Sequence, residues 1–316
     1  GLAFRGALGR RALLGGAARA VGDGALAAVP AGFGGRFVAG AGAVGTGVAA
    51  AATPATRRAA AGAGAAAADA GTPVVLVHGG WHGGWCWGRL APLLRAAGHP
   101  VWAPTLSGLA DRAHLLSPEI GLETHIRDIA GLLEFEDLRG ALLVGHSYAG
   151  MAVAGVAERA ADRLAGLVFL DAFVPGDGQA LLDLLPPARR AFYLDAARER
   201  GEGWRVPPPP AAAMGVTDEA DARWLEARLT DHPLRSFQEP ARLGDERAAA
   251  LPRTYVHCTA GPLVPSFAPF AARFRDDPNW TYRELATGHD AMVLEPAALC
   301  RILLDAIPAP KSVLGA

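Results

Sequence analysis

From residue 72 onward, short apolar runs alternate with longer stretches of mixed polarity. Apolar runs near 74–78, 100–103, 141–145 and 166–171 predict strands, and the stretches between them, near 86–97, 122–137 and 148–161, carry helix-spaced apolar positions. The strands lack the in-out alternation of a half-exposed sheet. They therefore belong to a parallel sheet covered by helices on both faces, the α/β class. The pattern changes between about 175 and 250. Pro186-Pro187, the run Pro207 to Pro210 and the helix-like pieces Leu181–Leu185, Ala188–Arg200 and Asp218–Leu229 lie here, with no clear strand. That is the pattern of a helical cap inserted between two late strands. Arg253–Cys258 resumes the sheet, Trp280–Leu285 is its last strand, and Glu295–Ala306 reads as a closing helix. The chain shows no internal repeats.

Composition separates the ends of the chain. Residues 1–71 are rich in Ala and Gly, carry seven arginines and only Asp23 and Asp69 as acids, and show no sustained apolar periodicity. Arg36 followed by an Ala/Gly/Val stretch to Ala55 has the parts of an export leader. A disordered extension or a mis-set start accounts for the same residues equally well. The protein is secreted or periplasmic if the leader is genuine, and cytoplasmic otherwise. The remainder, 72–316, forms one domain. Over 316 residues, 51% apolar composition is ample for a large core, and a net charge of −1 gives no electrostatic reason to expect a nucleic-acid partner. No stretch predicts stable membrane insertion. Cys86, Cys258 and Cys300 are unrelated in spacing and form no metal motif, and nothing indicates a cofactor. The composition is silent on oligomeric state.

Three segments carry candidate chemistry. In Ala141-Leu-Leu-Val-Gly-His-Ser-Tyr-Ala-Gly-Met151 an apolar strand breaks at small residues into an Ala-rich helix, with one hydroxyl at the corner. Such an elbow lifts a serine Oγ clear of the sheet and sets the first helix amides behind it, where an oxyanion can rest. The motif reads G-x-S-x-A-G, one methyl away from the usual pattern. Upstream, Val74-Val-Leu-Val-His-Gly-Gly-Trp81 is a buried strand opening into a loop whose backbone can approach a ligand closely. Downstream, Tyr282-Arg-Glu-Leu-Ala-Thr-Gly-His289 is a strand, a glycine turn and a histidine. Strand, loop, serine elbow and late histidine follow the chain order of an α/β-hydrolase.

The segments His78-Gly-Gly-Trp-His-Gly-Gly-Trp-Cys-Trp87, Gly145-His-Ser-Tyr-Ala-Gly-Met151, Asp171-Ala-Phe-Val-Pro175 and Gly288-His-Asp-Ala-Met292 resemble the plant methylesterase and hydroxynitrile lyase branch of the α/β-hydrolases, above all its bacterial esterase relatives. The resemblance covers about residues 72–306. It implies Ser147 as nucleophile, His289 as general base and then acid, and the amides of Gly80 and Tyr148 as oxyanion hole. In the family a carboxylate normally follows the strand that here reads Tyr-Val-His-Cys258. This chain continues Thr-Ala-Gly-Pro-Leu-Val-Pro-Ser266, with Gly261 where the acid would stand. The neighbouring strand ends in Asp171, which we take as the triad acid moved one strand earlier. A structural aspartate capping the next loop is the alternative. Asp276 and Asp277 are the rivals for the triad, and Asp290 adjoins His289 too closely in sequence to reach its Nδ1.

Around these residues, His146 reads as structural and His78 as a shaper of the loop, while His82 is open. Trp81 is expected to line the substrate pocket, Trp85 and Trp87 to pack, and the Tyr148 phenol to touch substrate. Trp204, Trp224, Phe192 and Phe237 belong to the cap. The leading function is hydrolysis of a small to medium apolar carboxylic ester through an acyl-enzyme. Two other readings compete. One is a receptor-like small-molecule binding protein on the same fold. The other is a hydroxynitrile lyase, disfavoured because Asp290 stands where that subgroup has a lysine.

Overall fold

The computed structural model describes residues 71–308, so the expected leader lies outside the described residues. The first sheet strand, β1 (Val74–Val77), is followed by a single turn of 3-10 helix at Gly84–Trp87 and by α1 (Ala91–Ala96). One continuous helix was expected there. Gly88 and the proline at the start of α1, Pro92, break it in two. Next come β2 (Val101–Trp102), α2 (Leu122–Phe135), β3 (Ala141–His146), α3 (Ala149–Ala160) and β4 (Leu164–Leu170).

An insertion then leaves the sheet. It holds α4 (Pro187–Arg200), β5 (Arg205–Val206), α5 (Glu219–Glu226), β6 (His232–Pro233), α6 (Arg235–Gln238) and α7 (Glu246–Ala249). It is not purely helical, because β5 and β6 pair antiparallel, Val206 opposite His232 and Arg205 opposite Pro233. Two residues per strand are too few to leave a period-two signal, and Pro233 argues against a strand locally. The chain returns through β7 (Arg253–Cys258), α8 (Val264–Phe274), β8 (Trp280–Leu285), α9 (Ala291–Leu294) and α10 (Pro296–Asp305).

The sheet order is β2-β1-β3-β4-β7-β8, and every neighbouring pair runs parallel. Side chains alternate between two cores although both are apolar. Val75, Val77, Leu143 and Phe169 join α2, α3 and α8 on one face. Val74, Leu76, Leu142, Val144 and Val256 join α1, Met292, Val293, Leu299 and Leu303 on the other. Leu122, Ile126, Ile129 and Leu133 form the buried stripe of α2. Each such side chain contributes about 1.5–3 kcal/mol when removed from water. The exposed edge is β8, whose side chains are half-buried or exposed. Among the described residues no helix is long and apolar enough to cross a membrane.

Candidate active site

The carboxyl ends of β1, β3 and β4 converge on one spot. At the end of β3 the chain turns through Ser147, whose φ of +55° is a strained value for a residue with a side chain. Hydrogen bonds over-determine the corner. Ser147 N donates to Leu170 O at 3.1 Å, and its carbonyl accepts from Gly150 N and Phe173 N, each at 3.1 Å. The small residues are required by contact. A β-carbon on Gly145 would fall 2.6 Å from Val153 Cγ2, and one on Gly150 would collide with the Phe173 carbonyl. The loop after β1 presses on the same corner, where a β-carbon on Gly79 would lie 2.9 Å from Ser147 Cβ. A β-carbon on Gly80 would lie 4.0 Å from Tyr148 Cβ, so the backbones of these two residues are neighbours.

Asp171 follows β4, again at positive φ, +40°, and is 1% exposed. Its Oδ2 accepts from His289 Nδ1 at 2.7 Å. Its Oδ1 accepts from Cys258 N at 3.1 Å and from His257 Nδ1 at 3.3 Å. Burial alone would raise this carboxyl. The hydrogen bonds from His257 and His289, the His289 charge and the Cys258 amide outweigh it and hold the carboxyl below the ordinary value. His257, the second imidazole on Asp171, has no signature in the sequence beyond its place one residue before the strand ends. Asp276 and Asp277 sit beyond α8, where Asp277 Oδ1 accepts from Asn279 N and Nδ2.

His289 is held on every side. Its N–H donates to Met214 O at 3.0 Å and its carbonyl accepts from His146 Nε2 at 3.0 Å. Its ring stacks on Phe267 at 4.9 Å and 15°. His146 is fully buried, and burial followed by the His289 charge lowers its imidazole to about 3, so it stays neutral. One ligand atom each from His146, His289 and Asp290 falls within 4.8 Å of the others. The nitrogens His146 Nε2 and His289 Nδ1 are already engaged, with the His289 carbonyl and with Asp171.

Asp290 pairs with His82 through one carboxylate oxygen, and its other oxygen lies 3.9 Å from His146 Nε2. His82 Nε2 lies 3.2 Å from Asp290 Oδ2 and His82 Nδ1 lies 2.7 Å from Gly80 O. Both ring nitrogens thus face acceptors, as an imidazolium requires. Burial pushes His82 down, but the Asp290 charge and hydrogen bond, with the Gly80 carbonyl, reverse the shift to a net rise. Asp290 is lowered in turn: His82 outweighs the upward push of burial.

Ser147 and His289 line one pocket with Gly80, Trp81, His82, Phe173, Met214 and Phe267 and, from the insertion, Arg189, Phe192 and Tyr193. It encloses about 570 Å³ of atom-free space, the open mouth included. Trp85 and Trp87 are not on its wall. Trp85 stacks on His82 and meets Trp224 edge-on, while Trp87 is wholly buried in the second core. Of the aromatic residues of the insertion, Phe192 lines the pocket, while Phe237 is buried against Trp81 and Tyr148. The expectation for the Tyr148 phenol is corrected. It donates to His125 Nδ1 at 2.7 Å, and His125 Nε2 donates to Ser107 O, so the hydroxyl is spent inside the core. His78 is likewise internal, with Nδ1 on Gly79 O and Nε2 accepting from Leu106 N at 3.0 Å.

A parallel sheet, a serine at a strained strand-to-helix corner and an aspartate-paired histidine on the same pocket are the features of an α/β-hydrolase fold. The chain belongs to the alpha/beta hydrolase family, whose model matches residues 74–302. Among curated relatives it is 40% identical over 237 residues to the carbendazim hydrolyzing esterase of Nocardioides sp. (strain SG-4G), covering 72% of this chain and 97% of that one. It is 29% identical over 262 residues to salicylic acid-binding protein 2 of Nicotiana tabacum, covering 74% and 96%. These matches place it beside the plant methylesterase branch. An extracellular alpha/beta-hydrolase from a Paenibacillus species shares the fold at a TM-score of 0.65 and 22% identity, with 75% of this chain and 100% of that one covered.

Proposed function

We propose that the protein is a serine hydrolase that cleaves small to medium apolar carboxylic esters through an acyl-enzyme. The observation that carries this reading is the 2.7 Å bond from His289 Nδ1 to the buried Asp171 carboxylate, beside a serine on the same pocket wall. A serine hydroxyl attacks poorly until an imidazole takes its proton, and the imidazole needs a carboxylate to fix its tautomer and balance its charge. Asp171 does both, because its three donors keep it ionised while His289 cycles.

In the forward step Ser147 Oγ bonds to the ester carbonyl carbon and His289 Nε2 accepts the hydroxyl proton. The oxyanion rests on the amides of Gly80 and Tyr148. His289 returns the proton to the leaving alcohol as the C–O bond breaks. Water then attacks the acyl-enzyme by the same sequence in reverse. The insertion acts as the cap, and Trp81, Phe173, Phe267 and Met214 give the pocket an apolar wall suited to an alkyl or aromatic acyl or alcohol group. Two relatives bear names of this chemistry, the carbendazim esterase and a pyrethroid hydrolase of Sphingobium wenxiniae, 33% identical over 109 residues.

The test is p-nitrophenol release from acyl esters of graded length by the wild type, Ser147→Ala and Asp171→Asn. Turnover in the wild type that vanishes in Ser147→Ala and collapses in Asp171→Asn supports the reading. Saturable ligand binding with no turnover would favour the receptor-like alternative that the salicylic acid-binding relative brings to mind.

A further inference from the structure

Trp81 stands next to the proposed oxyanion amide of Gly80 and has a backbone φ of +66°, a region that a bulky L-residue occupies only under constraint. The constraint comes from the insertion. Trp81 N donates to His232 Nδ1 at 3.3 Å, Trp81 O accepts from Thr230 N at 3.0 Å, and Trp81 Nε1 donates to Val206 O at 2.9 Å. Val206 and His232 are the residues that face each other in the β5–β6 ladder. The ladder therefore grips one residue of the β1 loop by its amide and its side chain, and Thr230, two residues before β6, holds its carbonyl.

The bond pattern also defines the His232 tautomer. Ser236 Oγ gives its proton to Pro233 O at 2.8 Å, so the 2.7 Å contact with His232 Nε2 requires an N–H at Nε2. Nδ1 is left with a lone pair, the acceptor that the Trp81 amide needs. His232 is fully buried, stacks on Phe237 at 4.4 Å and meets Tyr148 edge-on at 4.7 Å. A β-carbon placed on Gly80 would come within 3.8 Å of His232 Nδ1, so the ring also borders the proposed oxyanion amide.

We propose that the β5–β6 ladder is part of the oxyanion machinery, with His232 a positioning residue that holds Trp81 in its left-handed backbone and so aims the Gly80 amide. This rests on the esterase reading and adds to it. The insertion then does more than cover substrate, since it sets the geometry of transition-state stabilisation. His232 touches neither substrate nor Ser147 in this scheme and acts through Trp81.

Three variants separate this role from packing alone. His232→Asn keeps an oxygen acceptor where Nδ1 stands and loses the link to Ser236. His232→Gln can keep a donor to Ser236 and loses the acceptor, and His232→Leu loses both. The expected result is kcat lowered about 10- to 100-fold in the Gln and Leu variants, with KM within about twofold, and substantial recovery in Asn. Affinity for an alkyl boronic acid, which forms a tetrahedral adduct on the serine, should fall in parallel with kcat. Unchanged kcat in the Gln variant, loss confined to KM, or an Asn variant as impaired as Leu would overturn the inference. If the wild type turned over no ester, the proposed function would fail by itself. The clamp would then be judged by amide hydrogen exchange at Trp81. Exchange at least tenfold faster in Gln than in Asn sustains it, and equal exchange in both refutes it.

Discussion

Asp171 binds more tightly into its surroundings than its proposed role as triad carboxylate needs for orientation alone. One oxygen serves His289, and the other is shared by His257 and the Cys258 amide. Replacing it with Asn would present an N–H₂ to at least one of these donors and favour the wrong His289 tautomer. Turnover should fall by about 10⁴-fold. Ser147→Ala should fall further, by about 10⁶-fold, leaving what the pocket and the oxyanion amides supply. Steady-state ester hydrolysis measures both, and an Asp171→Asn enzyme within tenfold of wild type would remove Asp171 from the triad. His257→Ala is predicted to cost less than Asp171→Asn, because His289 and Cys258 still hold the carboxylate. The pairing of Asp171 with His289 was legible in the sequence because an acid closes an apolar strand one strand before the family's usual position. That with His257 was not, because an alternate residue of a buried strand shows its partner only once β4 and β7 are paired.

At the scale of elements, the glycines of the helices divide into two kinds. Gly150, in the first turn of α3, lies against the Phe173 carbonyl, so Gly150→Ala should destabilise by about 1–3 kcal/mol through overpacking. Gly131, within α2, has open space where a β-carbon would go, so Gly131→Ala should stabilise by about 0.4–1 kcal/mol by restricting the unfolded chain. Denaturant titration of the two variants tests the pair, and a destabilised Gly131→Ala would show that the helix surface there is already in use. The long elements were legible because parallel strands and amphipathic helices of six or more residues repeat their period often enough to be read. The β5–β6 ladder was not. Its two residues per strand pair across 25 intervening positions, and its local chemistry includes a proline. The Tyr148 phenol was misread for a related reason. Its place beside Ser147 suggested substrate, but its rotamer follows His125 on α2, a partner that only tertiary packing brings near.

For the molecule as a whole, the buried His82–Asp290 pair makes stability depend on pH from two directions. His82 is raised in the fold, so its contribution is complete below the ordinary imidazole value of ~6.5 and is lost as pH rises through the folded value. Asp290 is lowered, so its contribution is complete above the ordinary carboxylate value of ~3.9 and is lost as pH falls through the folded value. The pair therefore stabilises fully between those two ordinary values. Asp290→Asn is expected to lower Tm most within that window and progressively less on the alkaline side, where the wild type has itself lost the pair. Thermal melts across pH 4–10 measure this, and a Tm deficit independent of pH would mean that the pair is not ionised. The ring of His82 also carries Gly80 O, so the same melts taken with turnover would show whether the β1 loop loosens before the sheet does.

The three thiols, Cys86, Cys258 and Cys300, are all buried, and burial raises the pKa of each. Alkylation needs an exposed thiolate, so the folded chain should be nearly inert to iodoacetamide, and each modification should wait on an opening event. The chain thereby carries its own clocks. Cys86 lies in the 3-10 turn that follows β1, packed in the second core, and Cys258 directly follows His257 beside Asp171, so their labelling times read the lifetimes of those two regions separately. A Cys258 clock faster than the Cys86 clock would mean that the chain loosens around Asp171 before it loses its fold.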